Sequence, residues 1–210
     1  MHRPKLLIAT NNQGKLEEIH AILKNVEVEL LSPADMGLEL DVEEDGQTYA
    51  ENATKKALAF SQASGLISLA DDSGLEVDAL DGTPGLHSAR YSTLPNATDA
   101  DRRATLLLNL SRHPRPWAAR FRATIAIAGP GGGVKLAEGI CPGEIIPEER
   151  GTGGFGYDPL FWVPELGQSF AELPSERKNA ISHRARAMAA MGVILGDYFG
   201  RGAGRSGAGR

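Results

Sequence analysis

The chain has 210 residues and a formal net charge of −5, with 41% hydrophobic and 23% charged residues. This is the composition of a globular protein, and the length predicts one domain, or two closely packed lobes, over residues 1–200. The single cysteine, Cys141, excludes an internal disulfide framework and a cluster of thiolate metal ligands. The acidic balance argues against nucleic-acid binding, and no apolar run is long enough for a membrane span or a signal peptide. We therefore expect a cytoplasmic protein that binds neither nucleic acid nor membrane.

Strands and helices alternate in the first part of the chain. A buried strand over residues 5–10 leads through a polar break into an amphipathic helix. Thr48 and Glu51 have the spacing of a capping box, and they predict the start of a helix that ends near Ser64. The other strands predicted here cover residues 26–31 and 66–70.

The second part of the chain predicts a helix, a long hairpin and a final helix. Thr98 caps a helix over residues 99–110, and an alternating strand over 119–128 turns through glycines into a second strand over 134–140. A short strand over 160–163 and a helix over 175–199 complete the prediction, which is an α/β fold around a mixed sheet. Residues 201–210 contain only Arg, Gly, Ala and Ser, and they predict a disordered tail.

Charge is unevenly distributed along the chain. Residues 27–51 contain nine acidic residues and no Lys, Arg or His, whereas residues 177–210 contain seven Lys or Arg and one acid. This asymmetry suits a site in which a cation-binding acidic segment faces an anion-binding basic one, although two solvated surfaces would give the same pattern.

The segment from Thr10 to Lys15 follows the first strand and opens the first helix. Backbone N–H groups at a helix start, together with the helix dipole and Lys15, can bind phosphate. The segment is not a Walker A loop, because Ala9 replaces its first glycine and Leu16 stands where a magnesium-binding hydroxyl is needed. An ordinary strand–helix connection remains the alternative.

Two adjacent carboxylates, Asp71 and Asp72, follow the strand predicted over residues 66–70. Strand alternation would point them to opposite faces of the sheet, so that only one of them addresses a cleft. A carboxylate at such a position suits Mg²⁺, which takes one or two protein carboxylates and retains several waters. A turn that ends the strand is the alternative.

A glycine-rich stretch, residues 151–158, contains a formal G-x-G-x-x-G pattern. A dinucleotide-binding loop must open a helix, but this stretch leads into Pro159 and an apolar strand, which excludes that interpretation. What remains is a platform that presents Phe155, Tyr157 and Asp158 to a heterocycle, or a turn whose aromatic residue packs in the core.

Lys178, His183 and Arg184 lie near the start of the last predicted helix. Their spacing places them on a broad sector of one helix, where they reach one ligand only if it lies over the early turns. A phosphate-binding loop, a carboxylate for a hard metal, a ring platform and a basic helix together describe a site for a Mg²⁺-bound nucleotide.

The motifs of this chain strongly resemble those of the inosine and xanthosine triphosphate pyrophosphatases. The resemblance covers residues 5–199, with the motifs in the order of that family. They are Thr10-x-Asn12-x-x-Lys15, Ala70-Asp-Asp-Ser-Gly-Leu75, Gly82-x-Pro-Gly85 with Ser88-Ala-Arg-Tyr-Ser92, Gly151-Thr-Gly-Gly-Phe-Gly-Tyr-Asp-Pro159 and Ile181-Ser-His-Arg184.

The resemblance implies an Mg²⁺-dependent hydrolase that cleaves ITP, dITP and XTP to monophosphate and pyrophosphate and so clears deaminated purines from the nucleotide pool. It implies a homodimer and an elongated, twisted mixed sheet flanked by helices, with two lobes around a central nucleotide cleft. Asp72 is implied as catalytic proton acceptor and metal ligand, with Glu43 preferred and Glu44 not excluded as the second ligand. The implied substrate-binding residues are Thr10, Asn11, Asn12, Gln13, Gly14, Lys15, Lys56, Ser73, Phe155, Gly156, Tyr157, Asp158, Lys178, His183 and Arg184.

Chemistry agrees with these roles. An ordinary aspartate is a weak base, so we expect Asp72 to orient an attacking water whose acidity the metal raises. A carboxylate at Asp158 could accept from purine N1–H while Arg184 or His183 donates to O6; adenine reverses both roles. A pyrophosphatase for modified pyrimidine or methylated nucleotides and a non-enzymatic nucleotide sensor are the competing hypotheses.

Overall fold

The computed structural model describes residues 3–200. The tail predicted over residues 201–210 lies outside the described residues. Seven strands form one sheet in the order β2-β1-β3-β4-β5-β6-β7. The strands are β1 (Lys5–Ile8), β2 (Glu29–Leu31), β3 (Ile67–Val77), β4 (Trp117–Ala128), β5 (Val134–Ile145), β6 (Phe161–Val163) and β7 (Gln168–Ser169).

The sheet is mixed. Strand β1 pairs in parallel with β2 and β3, and every later pairing, from β3 with β4 onward, is antiparallel. The helices are α1 (Gln13–Leu23), α2 (Tyr49–Ser64), α3 (Asp99–Leu110), α4 (Ser175–Ile181) and α5 (His183–Gly200). None of the helices within residues 3–200 has the length and apolar character needed to cross a membrane. The prediction of an α/β fold around a mixed sheet is confirmed.

Alternation along the strands divides the core between the two faces of the sheet. Leu7 of β1 and Ala70 of β3 pack with α2, whereas Leu6, Ile8 and Leu69 pack with α1 and α5. The α2 side is built from small residues, so that helix lies close to the strands and its polar side chains reach β3. A further core at the other end of β3, β4 and β5 contains Phe121, Phe161 and Phe170 among its buried residues.

Two elements differ from the sequence prediction in ways that shape the site. Strand β3 does not end at Ala70 but continues through both aspartates to Val77, because each residue pairs with β4, Asp71 with Ile125 and Asp72 with Thr124. The last helix is divided at Ser182, whose backbone is extended and whose Oγ accepts a hydrogen bond from the Ala185 amide at 3.1 Å.

The other differences are the short strand β7, which was not predicted, and the lengths of several strands. Strand β1 ends two residues earlier than predicted and β2 begins three residues later, while the second hairpin strand, β5, extends five residues further to Ile145. The two predicted helix caps are confirmed, since the hydroxyls of Thr48 and Thr98 accept from the amides of Glu51 and Asp101. The Glu51 carboxylate accepts from the Gln47 amide at 2.7 Å and not from the Thr48 amide. The reciprocal bond of the capping box predicted at Thr48 is therefore missing.

Candidate active site

A cavity of about 320 Å³ opens where the loop after β1, the middle of β3 and the glycine-rich loop meet. Most of the residues singled out from the sequence line this cleft, although they come from distant parts of the chain. These are Thr10, Asn11, Asn12, Lys15, Lys56, Asp72, Ser73, Phe155, Gly156, Tyr157, Asp158, Lys178, His183 and Arg184.

Three residues of the predicted set do not line the cleft. The Gln13 side chain turns along α1 and donates to Glu17 at 2.9 Å. Gly14 lies beneath the Phe155 ring, where an added Cβ would come within 2.6 Å of the ring. Glu43, preferred as the second metal ligand, is exposed outside the cleft, whereas its neighbour Glu44 is half-buried and lines it. Adjacent side chains of the segment before α2 alternate in exposure, so only one of these two glutamates turns inward.

The anion-binding end of the cleft is the N-terminus of α1. Asn12 caps this helix, with its Oδ1 accepting from the Lys15 amide at 3.0 Å, and its own amide donates to Thr10 Oγ1 at 3.1 Å. The free N–H groups of the first turn and the helix dipole favour an anion at this position. Lys15 Nζ lies 2.8 Å from Asp71 Oδ2, which holds the ammonium at the cleft wall.

Asp71 points away from α2 into a network of buried charges. Its Oδ2 lies 2.8 Å from Lys15 Nζ and 3.1 Å from Arg184 Nη2, and it accepts from Ser73 Oγ at 3.0 Å. Burial raises the pKa of Asp71, but Arg184 and Lys15 outweigh it and hold that pKa well below its ordinary value. Asp71 therefore stays ionised and joins the basic residues of α1 and α5.

Asp72 points to the opposite face, toward α2. Asn52 Nδ2 donates to its Oδ2 at 3.0 Å, and Lys56 Nζ lies 3.7 Å from its Oδ1. Asn52 and Lys56 are four residues apart on α2, which places both over β3. Burial raises the pKa of Asp72 above its ordinary value, and Lys56 offsets only part of that effect.

Glu44 and Asp72 are the carboxylates that could hold a cation. Lys56 Nζ lies 2.6 Å from Glu44 Oε1 and 3.7 Å from Asp72 Oδ1, so the positively charged end of this lysine lies between the two carboxylates. Within residues 3–200, no group of three or more His, Cys, Asp or Glu side chains converges on a point. A pair of hard oxygen donors is the protein contribution that Mg²⁺ requires, because it retains several waters.

The glycine-rich loop forms the opposite wall. Asp158 Oδ2 accepts from the Phe155 amide at 2.9 Å and pairs with Lys178, whose Nζ lies 5.0 Å from the centroid of the Phe155 ring. Burial raises the pKa of Asp158, and Lys178 opposes this increase. Tyr157 is buried and donates to the Ser88 carbonyl at 2.9 Å. Of the three side chains predicted to form a platform, only Phe155 is partly exposed.

The break at Ser182 changes how the basic residues meet. Lys178 lies in α4 and Arg184 is the second residue of α5, and both contact the same carboxylate, Glu18 of α1, with Lys178 Nζ at 2.6 Å from Oε1. Arg184 also donates to Ser73 Oγ at 3.1 Å, and it is only 1% exposed. The predicted broad sector of one helix is thus replaced by two helices that converge on one buried acid.

His183 lies flat against Phe121, with ring centroids 4.8 Å apart. Burial lowers the pKa of His183 well below its ordinary value, and the neighbouring Arg184 lowers it further, so the imidazole is neutral at pH 7. Among the described residues, His183 Nδ1 and Arg184 Nε have no hydrogen-bond partner although both atoms are buried. Unpaired buried polar atoms beside a cleft are typical of a ligand site.

Sequence reasoning missed Glu18 and Asn52. No signal in the sequence indicated Glu18, because it lies about 100° around the helix from Ile19 and outside the predicted apolar stripe of α1, although the structure buries it. Asn52 precedes Lys56 by one turn and shares its helix face. Asp99 and Arg102 of α3 also line the cleft, and no motif in the sequence indicated them.

The cleft thus brings together a helix N-terminus, lysines, an aromatic ring and buried cations. These features define an α/β protein with a site for a phosphorylated ligand that carries a ring.

The chain belongs to the Ham1 family, whose sequence model matches residues 6–193. It is 51% identical over 196 residues to a dITP/XTP pyrophosphatase of Desulforamulus reducens, covering 93% of this chain and 97% of that protein. A dITP/XTP pyrophosphatase of Geobacter sulfurreducens is 52% identical over 197 residues, covering 93% and 96%. The solved structure of a HAM1 protein from Coxiella burnetii superposes with a TM-score of 0.83 at 37% identity, covering 92% and 99%. The resemblance drawn from the sequence motifs is confirmed.

Proposed function

We propose that this protein hydrolyses ITP, dITP and XTP to the nucleoside monophosphate and pyrophosphate, and so removes deaminated purines from the nucleotide pool. The observation that carries the proposal is the position of Asp72, a partly dehydrated carboxylate in the same cleft as the α1 N-terminus, Lys15 and Lys56. The names of relatives about half identical to it over nearly the whole chain supply the substrate class.

The triphosphate binds at the end of the cleft that carries positive charge. The N–H groups at the start of α1 receive phosphoryl oxygens, and Lys15 and Lys56 neutralise part of their charge. Groups fixed in this way stabilise the charge that develops on the departing pyrophosphate, which supplies most of the rate in phosphoryl transfer.

Asp72 and Glu44 are the residues that would hold Mg²⁺. When bound, the ion would supply positive charge to the phosphoryl oxygens and raise the acidity of the attacking water. The fit rests on the ammonium of Lys56, which bridges the same two carboxylates. Glu44 takes the place of Glu43 in this proposal because only Glu44 lines the cleft.

Asp72 accepts a proton from the attacking water. Asn52 fixes its Oδ2, so that the carboxylate keeps one orientation toward the cleft. The Ser73 amide donates to Asp72 Oδ1 at 3.1 Å and completes the support of this side chain.

The purine ring stacks on Phe155. The unpaired Nδ1 of neutral His183 and Nε of Arg184 supply hydrogen-bond donors for O6 of hypoxanthine or xanthine. Adenine carries an amino group at that position and would leave those donors unpaired, which rejects it strongly. A direct bond from Asp158 to N1–H must use Oδ1, since Oδ2 is engaged by Lys178 and the Phe155 amide.

The test is pyrophosphate release from dITP, ITP, XTP, ATP, GTP and a modified pyrimidine triphosphate, each with magnesium and with excess EDTA. We expect magnesium-dependent release confined to dITP, ITP and XTP. Release of orthophosphate, or equal turnover of ATP, contradicts the proposal. Preference for the pyrimidine supports the related pyrophosphatase, and binding without hydrolysis supports a nucleotide sensor.

The remaining parts of the proposal are a homodimer and a cytoplasmic location. Sedimentation equilibrium of the purified chain tests the first, with a mass near twice 22.3 kDa expected. Fractionation of cells that express the full chain tests the second.

A further inference from the structure

Helix α3 holds a single residue of the glycine-rich loop by both of its backbone groups. Asp99 Oδ2 accepts from the Gly156 amide at 2.8 Å, and Arg103 Nη1 donates to the Gly156 carbonyl at 2.8 Å. Asp99 and Arg103 are four residues apart, so they lie one above the other on one face of α3. The loop is thus held by charged side chains from an element more than 50 residues away in sequence.

The conformation of Gly156 determines the directions of the Phe155 and Tyr157 side chains. Gly156 has a φ of +61°, a conformation that favours glycine, and it lies in a turn between Phe155 and Tyr157. Phe155 lies over Gly14 in the cleft, and Tyr157 is buried in the core. A rotation of the Gly156 peptide would therefore swing the Phe155 ring.

The two holding side chains are themselves fixed. Arg103 makes a bidentate pair with Glu149, at 2.7 and 3.1 Å, and Asp99 pairs with Arg102. The capping box between Thr98 and Asp101 orders the first turn of α3. Planar, bidentate pairing restricts the guanidinium to one orientation, which makes the contact with Gly156 directional.

We propose that Asp99 and Arg103 are positioning residues that fix Phe155 against the purine ring and thereby set the affinity for the base. This inference rests on the proposed function, because it assumes that the base binds at Phe155. Neither contact with Gly156 is made by a group proposed to bind the triphosphate, so we expect the effect to fall mainly on ligands that carry a base.

The principal variant is Arg103→Met, which keeps the length of the side chain and removes the donor to Gly156. We expect its KM for dITP to rise about tenfold while kcat changes less than about twofold. Inorganic tripolyphosphate, which has the phosphates but no base, should inhibit wild type and variant with the same Ki. Arg112→Met is the matched control, because Arg112 is exposed beyond the end of α3.

Asp99 is tested by a pair of substitutions. Asp99→Ala removes the acceptor of the Gly156 amide, whereas Asp99→Asn retains an acceptor oxygen and should restore KM to within about threefold of wild type. Exchange of the Gly156 amide with solvent, measured by NMR without nucleotide, should be at least about tenfold faster in Asp99→Ala than in wild type.

The outcomes are distinguishable. An unchanged KM in Arg103→Met, or equal increases in KM and in the Ki of tripolyphosphate, would overturn the inference in favour of a general structural role. If the wild-type protein releases no pyrophosphate from any nucleotide, the proposed function fails. The affinities for a nucleoside triphosphate and for tripolyphosphate, measured by calorimetry, then decide the positioning role by the same comparison.

Discussion

Asp71 and Asp72 are neighbours in sequence, but they lie on opposite faces of β3 and in opposite electrostatic environments. Asp71 pairs with Lys15 and Arg184 in a buried network, and its pKa is lowered. Asp72 accepts from the side-chain amide of Asn52 and the backbone amide of Ser73 and has a lysine at 3.7 Å, and its pKa is raised. The alternation of a single strand has therefore made one carboxylate a permanent counter-ion and left the other able to take up a proton.

The two faces also differ in function: one contains residues that fix the positions of helices, and the other contains residues proposed to take part in the reaction. On the Asp71 face, Glu18, Lys178 and Arg184 connect α1, α4 and α5 by pairs of buried ions, which fix the positions of those helices. On the Asp72 face, Asp72, Lys56 and Glu44 line the cleft, where a bound cation or phosphate can change their charge balance. Substitutions should therefore affect stability and nucleotide binding on the first face, and turnover on the second.

The largest expected effect is on the Asp71 face. Asp71→Asn leaves Lys15 and Arg184 without their shared carboxylate, and we expect a loss of about 3–5 kcal/mol in the free energy of unfolding at pH 7. Urea denaturation followed by circular dichroism measures it. Asp45→Asn is the control, since Asp45 pairs with Lys55 at the surface and should change stability by less than about 1 kcal/mol.

The pH dependence of this difference has a definite sign. Because the pKa of Asp71 is lowered in the folded protein, its stabilisation is present above the ordinary aspartate pKa and is lost as the pH falls. The gap between wild type and Asp71→Asn should therefore narrow below about pH 4. A gap that widens in acid would contradict the assignment of Asp71 as a buried counter-ion.

On the opposite face, Asp72→Asn should lower kcat by at least about 100-fold while nucleotide still binds. Its thermal stability should be unchanged or slightly higher, because a raised pKa means that the charged carboxylate is disfavoured in the fold. Pyrophosphate release and differential scanning calorimetry measure the two effects. Normal turnover would show that Asp72 has no role in catalysis. A large loss of stability would show that the Asp72 face also stabilises the fold.

Glu18 sharpens the comparison within the buried network. Glu18→Gln keeps the shape of the side chain but removes the charge shared by Lys178 and Arg184, so we expect KM for dITP to rise about tenfold, or about 1.4 kcal/mol, with kcat little changed. Glu17→Gln is the matched control, because Glu17 is exposed on the adjacent position of α1. Equal kinetics for the two variants would mean that Glu18 serves only folding.

A smaller effect concerns the acidic limb of the pH–rate profile. Activity needs ionised Asp72, so kcat/KM should fall with decreasing pH as Asp72 is protonated; burial raises the pKa of Asp72 in the protein alone, and a bound Mg²⁺ would lower it. Lys56 lowers that pKa, and Lys56→Met should therefore move the limb to higher pH, whereas Lys55→Met should not. A limb that stays in place in Lys56→Met would assign it to another group.

The sequence predicted the class of fold because its periodicities and caps are local signals. The alternation of β4 and the hydroxyls of Thr48 and Thr98 were sufficient to define a long strand and two helices. The extent of β3 was not predictable in this way, because Asp and Gly disfavour strands and only pairing with β4 keeps residues 71–74 extended. The break at Ser182 did carry a signal, since serine is a preferred helix N-cap, but the apolar stripe across it favoured one helix.

The sequence also predicted which residues form the site better than it predicted the contacts between them. Motifs indicated most of the residues that line the cleft, yet the pairing of Arg184 with Glu18 spans 166 positions and has no local pattern. Alternate side chains of an extended segment point to opposite sides, so only one of Glu43 and Glu44 faces inward. Two identical neighbouring residues do not indicate which one it is. Such contacts are set by packing, which a single sequence does not display.

The smallest effect is expected from the end of the chain. Removal of residues 201–210 deletes three arginines and no apolar side chain larger than alanine, so it should change neither the melting temperature nor kcat with dITP. Replacement of those three arginines by glutamine in the full chain is the charge control. A loss of stability on deletion but not on charge neutralisation would show that the backbone of this segment supports α5 and hence the network around Arg184. A loss of kcat with unchanged stability in both variants would instead mean that these three arginines contribute positive charge to the reaction.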